Sequence, residues 1–277
     1  MSRLRITILG SGSSGGVPRV GGPDGHGDWG ACDPGEPKNR RTRCGVLVER
    51  AHSVHKWDPD HVTSVLIDTS PDLREQLVRA GVKHAEAVLY THDHADQTHG
   101  LDDLRVFAFI GRRRMPVYMD EATAKTITQR FSYAFVQPEG SLYPPILEQR
   151  PMPPLGEAFG IDGPAGPIMF TALLQNHGRV DSLGFRMGSM AYSNDVVDMP
   201  EETFEALEGL DLWVVDALQY KPHKTHAHLE KTLQWIERLK PKRAVLTNLH
   251  TTMDYQTLLD ELPDGVAPAY DGMRLEV

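Results

Sequence analysis

The sequence predicts an α/β protein in which layered sheets are covered by helices. Three observations carry that expectation. Short β-branched or apolar runs recur along the chain, each followed by a polar turn. Helical patterns fall between some of these runs. Finally, 277 residues with 40% hydrophobic and 24% charged side chains match an ordinary soluble protein, able to bury one large core or two modest ones.

Strands are expected over residues 4–9, 45–49, 64–67, 87–90, 117–119, 168–174, 191–193, 212–215 and 244–247. Helices are expected over 71–80, 101–110, 121–131, 201–207, 226–239 and 255–262. The first of these has Pro71 just inside its start and Gly81 past its end, the usual punctuation. Residues 21–43, rich in Gly, Pro and charge, and residues 137–167, rich in Pro and Gly, read as loops. Loops this long are usually functional or covering segments. With no tandem repeat and no low-complexity tail, a single domain over 1–277 is expected.

Bulk properties narrow the function. The net charge of -9 gives a surface that as a whole repels nucleic acid, although a local basic run can still hold one phosphate. Two cysteines are too few for a disulfide framework and fit a reducing compartment. The N-terminus carries no stretch resembling an export signal, and no run approaches the roughly 18–20 apolar residues of a membrane span. A cytoplasmic location is therefore expected, with no membrane partner.

Two glycine motifs near the start are decoys. Gly10-Ser11-Gly12-Ser13-Ser14-Gly15 spells GxGxxG after a strand. That fingerprint works only where a helix begins at once and presents its N–H groups to a pyrophosphate, and Val17-Pro18 does not begin one. Gly12-Ser13-Ser14-Gly15-Gly16 spells a serine-hydrolase elbow, again without its strand–turn–helix setting. A tight turn between strands is the better expectation for both.

Histidine carries the functional signal. His92, His94, Asp96 and His99 lie in a turn between the strand at 87–90 and the helix at 101–110. Ligands two residues apart on an extended turn can face one cavity, and imidazole with carboxylate suits zinc, manganese or iron. A water-exposed histidine-rich turn is the plain alternative. Further candidates stand at other strand ends: His177 after 168–174, Asp195 after 191–193 and His250 after 244–247. Each alone would more often be a hydrogen-bonded surface residue; their shared position favours a site, because ligands in layered α/β folds gather where strands finish.

His92-Asp93-His94-Ala95-Asp96 resembles the HxHxDH motif of the metallo-β-lactamase superfamily. The resemblance extends to Ile67-Asp68-Thr69, His177-Gly178, Tyr192-Ser193-Asn194-Asp195 and Asn248-Leu249-His250. Within that superfamily the chain is most similar to the PhnP-like phosphoribosyl cyclic phosphate phosphodiesterases, related to tRNase Z. The resemblance implies a four-layer αββα sandwich and two divalent ions, Zn²⁺ or Mn²⁺. His92, His94 and His177 would hold one, Asp96 and His250 the other, with Asp195 bridging. Asp68 would orient a ligand imidazole, its alternative being a helix cap. Position 97, where the motif has histidine, is Gln; a neutral amide is a poor zinc ligand, so the second ion is in doubt, and His99 is poorly placed to replace it. Some relatives carry several cysteines over 21–33 for a structural zinc; here only Cys32 and His26 are available, and none is expected.

A second cluster, His223, His226 and His228, follows the strand at 212–215. It resembles the stretch that places a histidine beside the leaving group in the phosphodiesterase branch. Imidazole titrates near neutrality, so His226 is the expected general acid, with Asp96 and Asp195 sharing the catalytic work and His223 touching phosphate. Helix-end histidines in water are the alternative. Of the basic run Lys38, Arg40, Arg41 and Arg43, Arg41 is the expected phosphate contact, against a plain solvated charge run. The leading expectation is a phosphodiesterase for a small cyclic phosphate or nucleotide-like diester. A homodimer is compatible with the sequence and a nucleic-acid substrate is not favoured. An ester, lactone or thioester hydrolase of the same fold, and a metal-binding carrier without catalysis, are the alternatives.

Overall fold

The computed structural model describes residues 2–52 and 57–277. Its strands are β1 (Ser2–Gly10), β2 (Gly45–His52), β3 (Val62–Ile67), β4 (Ala87–Leu89), β5 (Met115–Met119), β6 (Leu147–Pro151), β7 (Ala158–Ile161), β8 (Ile168–His177), β9 (Val180–Met187), β10 (Met190–Ser193), β11 (Leu212–Asp216), β12 (Arg243–Thr247), β13 (Val266–Pro268) and β14 (Arg274–Glu276). The helices are α1 (Leu73–Ala80), α2 (Ala95–Thr98), α3 (Arg105–Gly111), α4 (Glu121–Arg130), α5 (Ser132–Phe135), α6 (Glu201–Ala206), α7 (Leu229–Leu239) and α8 (Tyr255–Glu261).

Among the described residues the strands form two seven-stranded sheets, ordered β14-β1-β2-β3-β4-β5-β6 and β13-β12-β11-β10-β9-β8-β7. Side-chain alternation explains how they stack, since successive residues of a strand face opposite sides. Ile6, Ile8, Val46, Val48, Val65 and Ile67 of the first sheet meet Phe170, Phe185, Leu212, Val214 and Val245 of the second in a central core. Their neighbours face outward. Leu9, Leu47 and Leu66 pack under Leu73 and Leu77 of α1 and Ile127 of α4. On the other side Trp213, Val215 and Leu246 pack under Phe204 of α6, Trp235 of α7 and Leu258 of α8. Strands buried on both faces explain the continuous apolar runs at 64–67 and 212–215. The result is the expected four-layer αββα sandwich.

Topology then positions the site. Strands β3 to β6 run parallel in one sheet and β10 to β13 in the other. Residues that follow β3, β4, β10, β11 and β12 therefore emerge at strand C-termini, where the two sheets share a rim. The loop after β1 crosses this rim: Gly12 bridges to both Arg43 and Leu249, and Val17 to Arg41. Asp271 ties the loop down by accepting from the backbone and hydroxyls of Ser11 and Thr42 at 2.6–2.9 Å.

The structure corrects several local expectations. Residues 137–167, expected as loop, contain β6 and β7. These are mostly exposed edge strands with only one buried residue each, so they lack the apolar run that marks a strand. The helix expected over 101–110 divides into a 3₁₀ turn and α3. The helix expected from Pro71 begins at Leu73, with Asp72 at its N-cap position and Gly81 left-handed at its end, so Asp68 is not its cap. No helix among the described residues is long and apolar enough to cross a membrane.

Candidate metal centre

Three strand ends turn in an unusual way. Asp68 after β3, Asp195 beyond β10 and Asn248 after β12 have φ of 66°, 50° and 63°. Asp and Asn tolerate the left-handed region better than other side chains with a Cβ. Strain gathered at one rim is a mark of functional sites. All three residues are buried there.

His92, His94 and His177 converge, with one nitrogen from each lying within 4.8 Å of the others. His94 Nδ1 and His177 Nε2 are 3.3 Å apart, and His92 Nε2 stands 3.6 Å from Asp195 Oδ2. The far nitrogens set the tautomers. His177 Nδ1 contacts the Thr225 carbonyl oxygen at 2.7 Å, which only accepts, so Nε2 keeps its lone pair. His92 Nδ1 meets Thr91 Oγ1 at 2.9 Å, and that hydroxyl donates to Asp68 Oδ2 at 2.9 Å while Thr91 N–H donates to Asp68 Oδ1 at 2.8 Å. Asp68 thus orients the His92 imidazole through Thr91. His92 Nε2 is buried with no hydrogen-bond partner. Burial, then the neighbouring His94 and His177, drive the His92 imidazole well below its usual pKa and keep it neutral. Three imidazole nitrogens converging on one point beside a carboxylate fit a divalent transition-metal ion. His94 is solvent-exposed, which leaves an open side for a substrate.

The remaining expected ligands gather differently. Asp195 Oδ2 accepts from Gln97 Nε2 at 2.7 Å, and Asp195 Oδ1 from Asn248 Nδ2 at 2.9 Å. Asp96 lines the adjoining pocket; burial, then the Asp195 charge, push its carboxyl up. His250 lies on the same wall, but its Nε2 faces the Arg19 guanidinium and its Nδ1 accepts from Thr252 N–H at 3.2 Å. Among the described residues, the three-residue groups able to hold an ion are His92–His94–His177 and His177–Asp195–His226. The expected second set of Asp96, Asp195 and His250 is not among them, and Arg19 stands at the His250 ring. His99 does not replace Gln97, since its exposed ring packs edge-on against Phe131, 5.4 Å between centroids.

Beside the imidazoles lies a pocket of about 290 Å³, lined by Ser13, Ser14, Gly15, Arg19, Asp96, Leu218, Gln219, His223, His226 and His250. His226 Nδ1 is 2.9 Å from Asp216 Oδ2 and 3.4 Å from Asp195 Oδ1. Burial alone would lower its pKa, yet the charges of Asp216, Asp195 and Asp96 outweigh it and lift the imidazole to about 9. His223 is exposed at the pocket mouth, its ring centroid 5.2 Å from that of His226.

Arg41 does not reach this pocket. It is 2% exposed, and its guanidinium is used on Cys32 Sγ and Asn39 Oδ1. The rest of the basic run is also engaged structurally, Lys38 over Tyr255 and Tyr270, Arg40 over Trp29, and Arg43 with Asp72. Sequence reasoning missed Arg19, Asp216 and the hydrogen bond from Asn248 to Asp195. It also dismissed the Ser13–Gly15 turn, which is indeed no dinucleotide site but forms a pocket wall. A usable signal was present for Asp216 and Asn248, both polar residues at the ends of apolar strands; none was present for Arg19.

Comparison with known proteins bears on the family and the fold. Residues 63–248 match the model of a β-lactamase superfamily domain. An octanoyltransferase of Porphyromonas gingivalis (strain ATCC BAA-308 / W83) is 32% identical over 278 residues, covering 98% of this chain and 51% of its own length. The chain thus spans about half the length of that curated relative. A crystal structure described as a new diphosphatase from the PhnP family is 34% identical with a TM-score of 0.85, covering 100% of this chain and 98% of that one. Zinc-bound PqqB from Methylobacterium extorquens, 18% identical, has a TM-score of 0.74 with 99% and 100% covered. Short-form human tRNase Z, 16% identical, has a TM-score of 0.60 with 98% of each covered. The last two share the fold.

Proposed function

The chain belongs to the β-lactamase superfamily and, within it, to the PhnP family, and from that premise we propose that it is a metal-dependent phosphodiesterase acting on a small cyclic phosphate or nucleotide-like phosphodiester. The observation that carries the proposal is the place of His226, anchored on Asp216 and set between the three-imidazole cluster and a small pocket walled by Arg19 and His223. His92, His94, His177 and Asp195 would hold the ion. When bound, a divalent ion supplies polarisation of phosphoryl oxygens and acidification of water.

The chain's own groups divide the remaining work. Arg19 and His223 bind phosphate oxygens at the pocket wall. Asp96, its carboxyl raised by burial beside Asp195, accepts the proton of the attacking water. His226 has Nδ1 committed to Asp216, so Nε2 delivers a proton to the leaving alkoxide. Asp216 keeps that imidazole charged and oriented. The PhnP-family relative described as a diphosphatase supports a site for phosphorus esters and anhydrides over a lactone or thioester.

Hydrolysis of bis-p-nitrophenyl phosphate tests this. Turnover is expected, lost with chelator and restored by Mn²⁺ or Zn²⁺, and reduced about 10²–10⁴-fold in His226→Ala. Hydrolysis of a p-nitrophenyl carboxylic ester or lactone with none of the diester would refute it.

A further inference from the structure

The motif resemblance implies two cations, but the place of the second is built from groups that repel or replace one. Asp195, the expected bridge, spends one lone pair of each oxygen on a carboxamide hydrogen bond, from Gln97 Nε2 at 2.7 Å and Asn248 Nδ2 at 2.9 Å. Both amides are 1% exposed, so water does not compete with them. Both amides therefore meet the carboxylate as N–H donors, and an N–H does not bind a cation. His250, the expected imidazole ligand, faces the Arg19 guanidinium, a permanent cation without any acceptor atom. The Arg19 stem crosses the face of Gly15, 3.2 Å from where a side chain there would begin, so the glycine turn makes room for it. Its guanidinium thereby joins Ser13, Ser14, His223 and His226 around one pocket. A planar fork of N–H donors matches phosphate oxygens.

We propose that this chain binds one divalent cation, at His92, His94, His177 and Asp195, and that Arg19 takes the second cation's electrostatic role toward a bound phosphate while Gln97 and Asn248 hold Asp195. The inference rests on the metal centre proposed above but not on the identity of the substrate.

The test is metal content per chain in the wild-type protein after loading with excess Mn²⁺ or Zn²⁺ and desalting, together with titration of inorganic phosphate into the loaded protein. One ion per chain is expected, and the manganese form should give the electron-spin spectrum of isolated ions. Arg19→Ala should keep one ion and weaken phosphate binding roughly tenfold or more, the scale of a lost charge-assisted contact. Two ions per wild-type chain, or a spin-coupled manganese pair, overturns the proposal, as does unchanged phosphate affinity in a folded, metal-loaded Arg19→Ala protein. A chain that takes up no ion refutes the metal centre itself, separately from any result on diester turnover.

Discussion

Thr91→Val removes one hydroxyl and almost no volume from the residue that connects Asp68 to His92. Thr91 and Asp68 are fully buried, and the hydroxyl lies 2.9 Å from both His92 Nδ1 and Asp68 Oδ2. Two costs follow. Asp68 Oδ2 loses its donor while Oδ1 keeps the Thr91 N–H, and a buried acceptor left unpaired costs about 1–3 kcal/mol. At about 2 °C per kcal/mol for a chain of this size, the metal-free protein should melt about 2–6 °C lower. The His92 ring also loses the partner that fixes its tautomer. Loss of such an outer partner typically costs about 10–100-fold in metal affinity. Competition with a chromophoric chelator measures this directly, and Thr91→Ser, which keeps the hydroxyl, should bind close to wild type. Metal affinity in Thr91→Val within roughly threefold of wild type, well inside that range, would refute the relay and leave Asp68 a packing residue.

Three further outcomes are expected. Asp216→Asn removes the charge behind His226, so steady-state kinetics should show kcat for the diester down by about 10²-fold or more with KM changed only a few-fold. Arg41→Met should leave KM unchanged and lower the melting temperature by about 1–3 °C, the loss of one hydrogen bond worth about 0.5–1.5 kcal/mol, because the guanidinium serves the loop while Asn39 Oδ1 keeps the Tyr255 N–H at 2.8 Å; a large KM change with an unchanged melt would restore Arg41 to binding. Asp254 caps α8 through Thr257 N–H and also accepts from Asp33 N–H and Asn39 Nδ2. Partial burial would raise its carboxyl, but these donors draw it from the usual 3.8 to about 2. Its contribution is therefore complete above about pH 4 and fades as pH falls toward 2, where the folded carboxyl takes up a proton. Asp254→Ala should lose on the order of 1–2 kcal/mol near neutral pH, with its melts converging on wild type in acid.

Much of the fold was legible because a strand buried on both faces must be apolar throughout. Apart from Ser64 and Thr247 at their ends, residues 64–67, 87–90, 212–215 and 244–247 satisfy that and became β3, β4, β11 and β12. Edge strands obey no such constraint, which is why β6 and β7 passed for loop. The one-turn helices α2 and α5 are too short to show a period.

Sequence by itself determined most of the strand ends that gather at the rim. His92, His94 and Asp195 follow apolar runs that end close to where their strands stop, whereas His177 is the last residue of β8, beyond the run at 168–174. Only the tertiary structure decided what those groups meet. Arg19 and His250 are 231 positions apart, and Gln97 and Asp195 are 98 apart. No local pattern encodes contacts of that span, since they arise when two sheets pack face to face and bring separate loops to one rim. The same packing buried Arg41, whose charge had made it look available, and put Asp216 behind His226.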